Sequence, residues 1–342
     1  MASDLQKTIR EEFPRKSVLV VGDLVADQFL QGTITRVSRE APVFILRHDQ
    51  TQTLPGAAAN AAVNVASLGG RAVLIGTVGK DESGTALLDD LKKRNVVCDH
   101  IVASDEVRTT TKVRVLAGQE HAARQQVIRI DYENAPPLSA GLTAQLKENI
   151  LAASADTDAI VISDYNYGTA SAEIAQIAGK IAAEKKIPLV LDSRFRLQDF
   201  PNATSATPNQ DEVEQIAGRR ISDIAELESF CSELREKLGY RALMVTRGNN
   251  GILLLEEGAP AVHLEAIGSK EPVDVTGAGD TVIAAYTLGL ASGLSFLDAA
   301  RVANHAGGIV VMKRNTASAA MSELLASILA GGAQSQTTSA NS

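Results

Sequence analysis

The chain has 342 residues, 45% hydrophobic and 22% charged, so it has enough apolar material for a full globular core. Its formal net charge of −8 argues against a nucleic-acid partner or an anionic membrane surface, because both are bound through basic patches. Two cysteines are too few for a disulfide framework, and no apolar run has the length of a signal peptide or a membrane span, so we expect a cytoplasmic protein.

Short β-branched runs alternate with longer helical patterns along the chain. Continuous apolar strands separated by helices favour an α/β fold, with a mainly parallel sheet covered on both faces. The pattern predicts strands at 17–22, 71–77, 158–163, 187–192, 241–246 and 251–255, and helices at 56–69, 81–94, 139–153, 170–185, 222–238, 277–292, 295–312 and 320–329.

Two segments break this rhythm. Residues 28–47 and 107–131 alternate polar and apolar side chains, which is typical of antiparallel strands with one solvated face. We interpret them as a small β-sheet lid over one edge of a single domain that spans 1–330. The remaining residues, 331–342, are small and polar and predict a disordered tail.

Two glycine-rich or acidic segments near the N-terminus suggest ligand contacts. GDLVADQF, at 22–29, places Asp27 just past the first strand, where open α/β sheets bind ligands, although aspartate is also a common turn residue. In LPGAAANAAVNVASLGG, at 54–70, Gly56 would let a ligand approach the backbone and Asn60 would bind hydroxyl groups. Small residues at helical spacing can equally indicate tight packing.

Two later turns have the composition of a nucleotide site. TPNQDE, at 207–212, puts Asn209 and Glu212 on the first turn of a helix, either as a capping box or as a pair that holds waters around Mg²⁺. TRGNNG, at 246–251, follows a strand, and its Thr246 and Gly248 either line the phosphates of a nucleotide or form only a hairpin turn.

The most informative segment is DVTGAGD, at 274–280, which leads directly into an apolar helical pattern. The amides of Gly277, Ala278 and Gly279 would form an anion-binding nest at a helix N-terminus. Asp280, beside that nest, would accept a hydroxyl proton while the amides stabilise a transferring phosphoryl group. The alternative is that Asp280 only caps the helix.

Taken in this order, the segments resemble the phosphofructokinase-B, or ribokinase-like, carbohydrate kinases over nearly the whole chain. Within the family they are most similar to the D-glycero-D-manno-heptose 7-phosphate kinases of ADP-heptose synthesis, and this similarity extends to TTKVRV, QQVIRIDYEN, ISDYNYG and ANHAGGIVVMKRNTAS. The resemblance implies a ribokinase-like three-layer α/β/α sandwich. It also implies transfer of a phosphoryl group from ATP to the anomeric hydroxyl of the heptose phosphate.

The resemblance also implies roles for individual residues, with ATP and Mg²⁺ as cofactors and K⁺ as a further candidate. Asp280 would be the base, and Gly277, Ala278 and Gly279 the anion hole. Asp27, Gly56, Asn60 and Asp164 would bind the sugar. Asn209 and Glu212 would serve Mg-nucleotide, Thr246 and Gly248 the phosphates, Asn304 the adenine, and Asp274 and Thr276 a monovalent cation.

A heptose 7-phosphate carries a dianion, for which the natural ligands are Arg36, Arg114 and Arg129 on the lid strands; each could instead be a solvated strand arginine. The family implies a homodimer formed through the lid, and we expect a separate nucleotidylyltransferase to complete the pathway. Two alternatives stay open: a kinase of the same fold for ribose, fructose or a fructose phosphate, and a non-catalytic sugar- or nucleotide-binding regulator.

Overall fold

The computed structural model describes residues 2–119, 124–134, 137–269 and 271–338. The eight predicted helices lie within two residues of their predicted bounds, except that the last one ends nine residues later. A helix at the N-terminus was not predicted, and only the first turn of the helix after residue 209 was. The helices are α1 (Ala2–Glu12), α2 (Ala58–Ser67), α3 (Glu82–Lys93), α4 (Ala140–Ala153), α5 (Ala172–Lys185), α6 (Gln210–Ala217), α7 (Ile224–Leu238), α8 (Ala278–Ala291), α9 (Phe296–Val310) and α10 (Met321–Thr338).

The strands include all six predicted ones, shifted by at most two residues at either end, and several short strands without a clear sequence pattern. The strands are β1 (Ser17–Gly22), β2 (Leu24–Val37), β3 (Phe44–Ala57), β4 (Arg71–Ile75), β5 (Thr77–Gly79), β6 (Val102–Ser104), β7 (Thr110–Gly118), β8 (Gln125–Tyr132), β9 (Ala159–Asp164), β10 (Leu189–Ser193), β11 (Ser205–Ala206), β12 (Ala242–Thr246), β13 (Ile252–Glu256) and β14 (Val262–Leu264).

The main sheet has eight strands in the order β14-β13-β12-β11-β10-β9-β1-β4, and only its β13 and β14 edge is antiparallel. Successive residues of β1 point to opposite faces, so that Val18 and Val20 join one apolar core while Leu19 and Val21 join another. The first core packs against α2, α8 and α9, and the second against α4, α5 and α7. The predicted three-layer α/β/α arrangement is therefore confirmed.

A second sheet of four strands, in the order β3-β2-β7-β8, occupies the two segments with alternating polarity. Its outer pairs are antiparallel, but the central pair, β2 and β7, is parallel, whereas the sequence predicts antiparallel strands throughout. The chain leaves β3 through α2, returns through α3, and enters β7 in the same direction as β2. Such a crossover gives parallel strands, which local alternation cannot reveal.

The two chain ends differ from the prediction. The helix α1 buries Leu5 and Ile9 in the first core, although its sequence is polar overall, and the side-chain amide of Gln6 donates to the carbonyl of Leu325 in α10 at 2.9 Å. The helix α10 continues to Thr338, so that residues 331–338 of the predicted disordered tail are helical; residues 339–342 lie outside the described residues. None of the described helices is long and apolar enough to cross a lipid bilayer.

Candidate active site

A cavity of about 450 Å³ lies between the small sheet and the carboxyl ends of the parallel strands, where open α/β sheets place their ligand sites. Side chains reach it from β2, β7 and β8 on one side and from the ends of β10 and β12, the start of α6 and the start of α8 on the other. It is lined by Val25, Asp27, Ala57, Lys112, Arg114, Arg129, Tyr165, Asp192, Arg194, Thr207, Asn209, Glu212, Thr246, Val275, Thr276, Gly277, Gly279, Asp280 and Thr316.

The carboxylate of Asp280 is held by two hydrogen bonds at the wall of this cavity. Its Oδ2 accepts from the side-chain amide of Asn60 at 2.8 Å, and its Oδ1 accepts from the hydroxyl of Tyr165 at 3.0 Å. The residue is 3% exposed, and this burial raises the pKa of Asp280 to about 7, against the lowering effect of both hydrogen bonds. A carboxylate with such a pKa can accept a proton near neutral pH.

Asn60 is expected from the sequence to bind sugar, but the structure commits its side chain to the protein. Its Nδ2 faces Asp280 and the carbonyl of Gly277, its Oδ1 accepts from Asn64 at 3.2 Å, and the residue is absent from the cavity wall. Asn64 in turn accepts the hydroxyl of Thr281 at 3.0 Å. Asn60 therefore fixes α2 against the start of α8 and orients the carboxylate of Asp280.

The glycine turn at the start of α8 has the backbone shape that its sequence predicts. Gly277 caps the helix with φ 76°, and a Cβ there would lie 2.5 Å from the side-chain amide of Asn60, so that only glycine fits. Gly277 and Gly279 line the cavity. The amide of Ala278 instead donates to the carbonyl of Val275 at 3.2 Å, so this member of the predicted anion hole is already engaged in the turn.

Asp27 lines the cavity, but Gly56, which is expected to make room for a ligand, makes room for Asp27 instead. A Cβ on Gly56 would lie 2.6 Å from the Asp27 carboxylate. That carboxylate forms an ion pair with Arg114 at 2.6 Å and accepts the hydroxyl of Thr316 at 3.3 Å. Gly56 itself is absent from the cavity wall.

Of the three arginines predicted to bind a substrate phosphate, two line the cavity and one does not. Arg114 is paired with Asp27, and Arg129 forms a two-pronged pair with Asp131 at 2.8 and 2.9 Å. Arg36 is exposed near the far end of β2, opposite Ile45 in the hairpin, so its assignment to the site is wrong.

Two further cations, Lys112 and Arg194, line the cavity and were not predicted. Neither forms an ion pair with a carboxylate among the described residues. Lys112 is 9% exposed, with its ammonium 5.9 Å and 5.6 Å from the ring centres of Tyr165 and Tyr167, and burial lowers its pKa. An unpaired buried cation is costly, so this wall is suited to an anionic ligand.

Asp164 is also predicted as a sugar ligand, and the structure gives it a different role. It is buried beneath the strand ends and forms an ion pair with Arg196, while Ser193 donates to it at 2.7 Å. It is absent from the cavity wall. Asp164 therefore ties the end of β9 to the segment after β10.

For Asn209 and Glu212 the structure confirms the capping interpretation, and their role at Mg²⁺ stays a prediction. They form a complete capping box at the start of α6, with bonds of 2.8 and 2.9 Å, and both also line the cavity. Asp192 lies in the same wall. Burial raises the pKa of both Asp192 and Glu212, and their mutual repulsion raises that of Asp192 further.

A second cavity, of about 180 Å³, adjoins the first and shares Thr246, Val275 and Gly279 with it. It lies between the turn after β12 and the faces of α8 and α9, and Gly248 and Asn304 line it as the sequence anticipates. The side-chain amide of Asn304 donates to the carbonyl of Glu265 at 2.7 Å. Two adjoining cavities can hold two molecules side by side.

The proposed monovalent-cation residues flank the glycine turn. The carboxylate of Asp274 accepts from the amides of Thr276 and Asn315, each at 2.9 Å, and these bonds lower its pKa although burial works to raise it. Thr276 lines the main cavity. Among the described residues, no group of three or more His, Cys, Asp or Glu side chains is placed to hold a metal ion directly.

Six polar or charged cavity residues were missed as ligands by sequence reasoning: Tyr165, Lys112, Asp192, Arg194, Thr207 and Thr316. Three of them follow or end β9 and β10, the central strands of the sheet. Because the carboxyl ends of central parallel strands converge on the ligand site, the order of the strands would have pointed to them. Lys112 carried no such signal, because its position depends on the pairing of β7 with β2.

A comparison with known families and proteins matches residues 15–323 to the family described as pfkB family carbohydrate kinase. The chain is 36% identical over 321 residues to the bifunctional protein HldE of Gluconobacter oxydans, which covers 93% of this chain and 66% of that relative. It is 38% identical over 323 residues to the protein of the same name from Shewanella loihica, with coverage of 92% and 64%. The chain thus spans slightly less than two thirds of these relatives.

Solved structures with the same fold include Arabidopsis thaliana ribokinase complexed with ribose and ATP, with a TM-score of 0.69 at 19% identity. They also include Escherichia coli phosphofructokinase-2 in complex with substrates and products, with a TM-score of 0.73 at 19% identity. Each match covers 92% of this chain and 98% of the other. The predicted ribokinase-like fold is thereby confirmed.

Proposed function

The chain belongs to the pfkB family of carbohydrate kinases, and we propose that it transfers the γ-phosphoryl group of ATP to D-glycero-D-manno-heptose 7-phosphate. As a member of this family it is a phosphotransferase that acts on a sugar hydroxyl. The proposed acceptor is the anomeric hydroxyl, and the product is the 1,7-bisphosphate used in ADP-heptose synthesis. The sugar assignment is supported by the resemblance to heptose 7-phosphate kinases and by the HldE relatives, at 36% and 38% identity.

The observation that carries the proposal is the buried carboxylate of Asp280 in the main cavity, next to Gly279, which lines both cavities. In the proposed reaction this carboxylate takes the proton of the sugar hydroxyl. The hydroxyl oxygen forms a bond to the γ-phosphorus, the bond between that phosphorus and the β–γ bridging oxygen breaks, and ADP leaves. Gly277 and Gly279 let the phosphoryl group approach the start of α8, where the helix dipole favours negative charge.

The charge of the cavity wall supports a phosphorylated acceptor. Lys112 and Arg194 form no ion pair with a described carboxylate, and Arg129 is half exposed beside them. The carboxylates of Asp27 and Asp131 act on Lys112 only at longer range. A sugar phosphate would supply a direct anionic partner, whereas an uncharged sugar would leave the Lys112 ammonium with only the two tyrosine rings beside it. We therefore assign the heptose 7-phosphate group to Lys112, Arg129 and Arg194.

Asp192, Glu212 and Thr207 are suited to Mg-nucleotide. The carboxylates of Asp192 and Glu212 are buried and repel each other, and a divalent cation would remove the cost of charging both. The buried hydroxyl oxygen of Thr207 has no hydrogen-bond partner among the described residues. We propose that Asn209 and Glu212 hold Mg²⁺ through water, which neutralises charge on the transferring group. The second cavity, with Gly248 and Asn304, would take the nucleoside, and Asp274 with Thr276 would border a K⁺ site.

The small sheet would act as a lid that excludes water, and as the contact surface of a homodimer. The hairpin formed by β2 and β3, and the edge strand β8, expose large apolar side chains: Val37, Val43, Phe44, Val127, Ile128 and Ile130. Exposed apolar edges favour pairing with a second copy. We assign the enzyme to the cytoplasm, where ATP is available.

A substrate screen tests the proposal. Purified protein with Mg-ATP is given heptose 7-phosphate, unphosphorylated heptose, ribose, fructose and fructose 6-phosphate, while ADP release is measured. We expect kcat/KM to be highest for heptose 7-phosphate, and phosphorus NMR to show a new anomeric phosphate. Activity confined to an unphosphorylated sugar would remove the heptose phosphate assignment, and absence of turnover with every sugar would favour a binding regulator.

A further inference from the structure

Asp23 is a buried carboxylate that the proposed reaction does not use. It follows β1, is 1% exposed, and lines neither cavity. Its Oδ2 accepts the backbone N–H groups of Tyr165 at 2.9 Å and Tyr167 at 3.0 Å, and its Oδ1 accepts that of Thr169 at 2.9 Å. One side chain therefore fixes three amides of the loop that follows β9.

This loop turns sharply, and the hydroxyl groups of its two tyrosines bind different partners. Asn166 and Gly168 have φ values of 63° and 110°, so the backbone is held in conformations that need support. The hydroxyl of Tyr165 donates to Asp280 at 3.0 Å, whereas the hydroxyl of Tyr167 donates to Glu133 at 2.6 Å, beyond the end of β8. Only Tyr165 lines the main cavity.

We propose that Tyr165 is a positioning residue that orients the catalytic carboxylate of Asp280, and that Asp23 holds Tyr165 in place through the backbone of residues 165–169. The inference rests on the proposed function of Asp280 as the base. Tyr165 fixes one oxygen and Asn60 the other, so the carboxylate is held by two donors from different elements. Each oxygen keeps a lone pair for the incoming hydroxyl.

The Tyr165 hydroxyl also favours the charged form of the base. Burial and the nearby Asp280 raise the pKa of Tyr165 well above its usual range, so its hydroxyl stays protonated and donates. Asp192 from β10 and Asp27 from β2 also face Asp280, while Asp192, Arg194 and, from β7, Lys112 face Tyr165. Both aspartates disfavour the charged carboxylate, so loss of the tyrosine hydroxyl would leave Asn60 as the single hydrogen-bond donor that supports it.

The test compares Tyr165→Phe with Tyr167→Phe, which removes a hydroxyl from the same loop without touching Asp280. The pKa of Asp280 is measured in the ligand-free protein by carbon-13 NMR of the aspartate carboxyls, with the signal assigned through Asp280→Asn. We expect Tyr165→Phe to raise it by about one pH unit, and the acidic limb of kcat/KM to move by the same amount. Tyr167→Phe should change neither the pKa of Asp280 nor the acidic limb of kcat/KM.

Asp23→Asn tests the second half of the proposal, because at least one of the three backbone N–H groups would then face an amide NH₂. We expect Asp23→Asn also to raise the pKa of Asp280, and we expect no further rise when Asp23→Asn is combined with Tyr165→Phe. If the pKa of Asp280 in the double variant rises by the sum of the two single effects, Asp23 does not act through Tyr165. If Asp23→Asn does not fold, the matched tyrosine pair still decides the role of Tyr165.

The NMR readout separates this inference from the proposed function, because it needs no turnover. An unchanged Asp280 titration in Tyr165→Phe, or an equal shift in Tyr167→Phe, would overturn the positioning role even in an active kinase. A change in the pKa of Asp280 that is confined to Tyr165→Phe would support the positioning role of Tyr165. If the wild-type protein were then inactive on every sugar, only the assigned reaction would be overturned.

Discussion

The guanidinium of Arg114 lies 2.6 Å from the carboxylate of Asp27, so two residues predicted as separate substrate ligands bind each other. Both side chains are largely buried, and the pair spans two adjacent strands of the small sheet. Its charges cancel, which leaves Arg114 less able to bind a phosphate by itself. Arg129 is paired as well, with Asp131, but Arg129 is half exposed and such a pair costs little to separate, so the positive charge available to a substrate comes chiefly from Lys112, Arg129 and Arg194.

The first prediction concerns those cations. Lys112→Met and Arg129→Gln should each lower kcat/KM for a phosphorylated sugar about 10-fold to 100-fold, the value of a charge-assisted hydrogen bond. The matched control is Arg36→Gln, which removes a positive charge from the distal end of the same sheet and should leave kcat/KM unchanged. Steady-state kinetics with heptose 7-phosphate measures the effect, and an equal loss in all three variants would contradict the assignment.

The second prediction concerns the base. Asp280→Asn keeps the size of the side chain and can keep hydrogen bonds to Asn60 and Tyr165, but it cannot accept a proton. We expect kcat to fall about 10²- to 10⁴-fold, the usual contribution of a general base. ADP release measures kcat, and Asp89→Asn, an exposed isosteric change on α3, serves as the control. An Asp280→Asn enzyme that works at full speed would exclude Asp280 as the base.

The third prediction concerns stability and pH. The pKa of Asp280 is about 7 in the folded protein, raised by burial from its ordinary value of 3.8. A carboxyl group with a raised folded pKa stabilises the fold below its unfolded pKa, and this stabilisation is lost as the pH rises through the folded pKa.

Asp280→Asn removes the cost of burying the charged carboxylate, so its stability relative to the wild type should increase between pH 4 and pH 8, by about 4 kcal/mol at most. Thermal unfolding of both proteins across this range measures the difference. A difference that stays constant with pH would mean that Asp280 titrates at its ordinary pKa.

The fourth prediction concerns the metal. Glu212→Gln retains an oxygen for the backbone N–H of Asn209, and so keeps the capping contact while it removes a charge. We expect the Mg²⁺ concentration for half-maximal activity to rise about tenfold, an effect of about 1.4 kcal/mol, with little change in Tm. Glu214→Gln, on the same helix but outside the cavity wall, should leave the Mg²⁺ requirement unchanged. Equal requirements in both variants would remove Glu212 from the metal site.

The fifth prediction concerns assembly. Phe44→Asp and Ile128→Asp each place a charge on the exposed apolar surface of the small sheet, where the two side chains are 60% and 54% exposed. We expect each variant to be monomeric when the wild type is dimeric, because a buried unpaired charge destabilises an interface. Light scattering after size-exclusion chromatography measures the mass. Leu151→Asp, at a similarly exposed site on α4, should stay dimeric, and a monomeric wild type would refute the lid dimer.

The sequence by itself determined the features that depend on neighbours along the chain. Alternating apolar strands and helices specified the three-layer sandwich, because burial on both faces imposes that pattern. The glycine turn and Asp280 are contiguous, as are Asn209 and Glu212, so local backbone geometry alone sets their spacing. Both pairs accordingly lie together in the cavity wall.

Only the tertiary structure decided which distant side chains share the cavity. Arg36 lies nine residues beyond Asp27 on β2, about 30 Å at the rise of a strand, so it cannot reach the site that Asp27 lines. Lys112 and Arg114 are brought to that site because β7 pairs in parallel with β2, after a crossover through two helices. Strand order and register arise from contacts between distant segments, and local sequence patterns do not encode them.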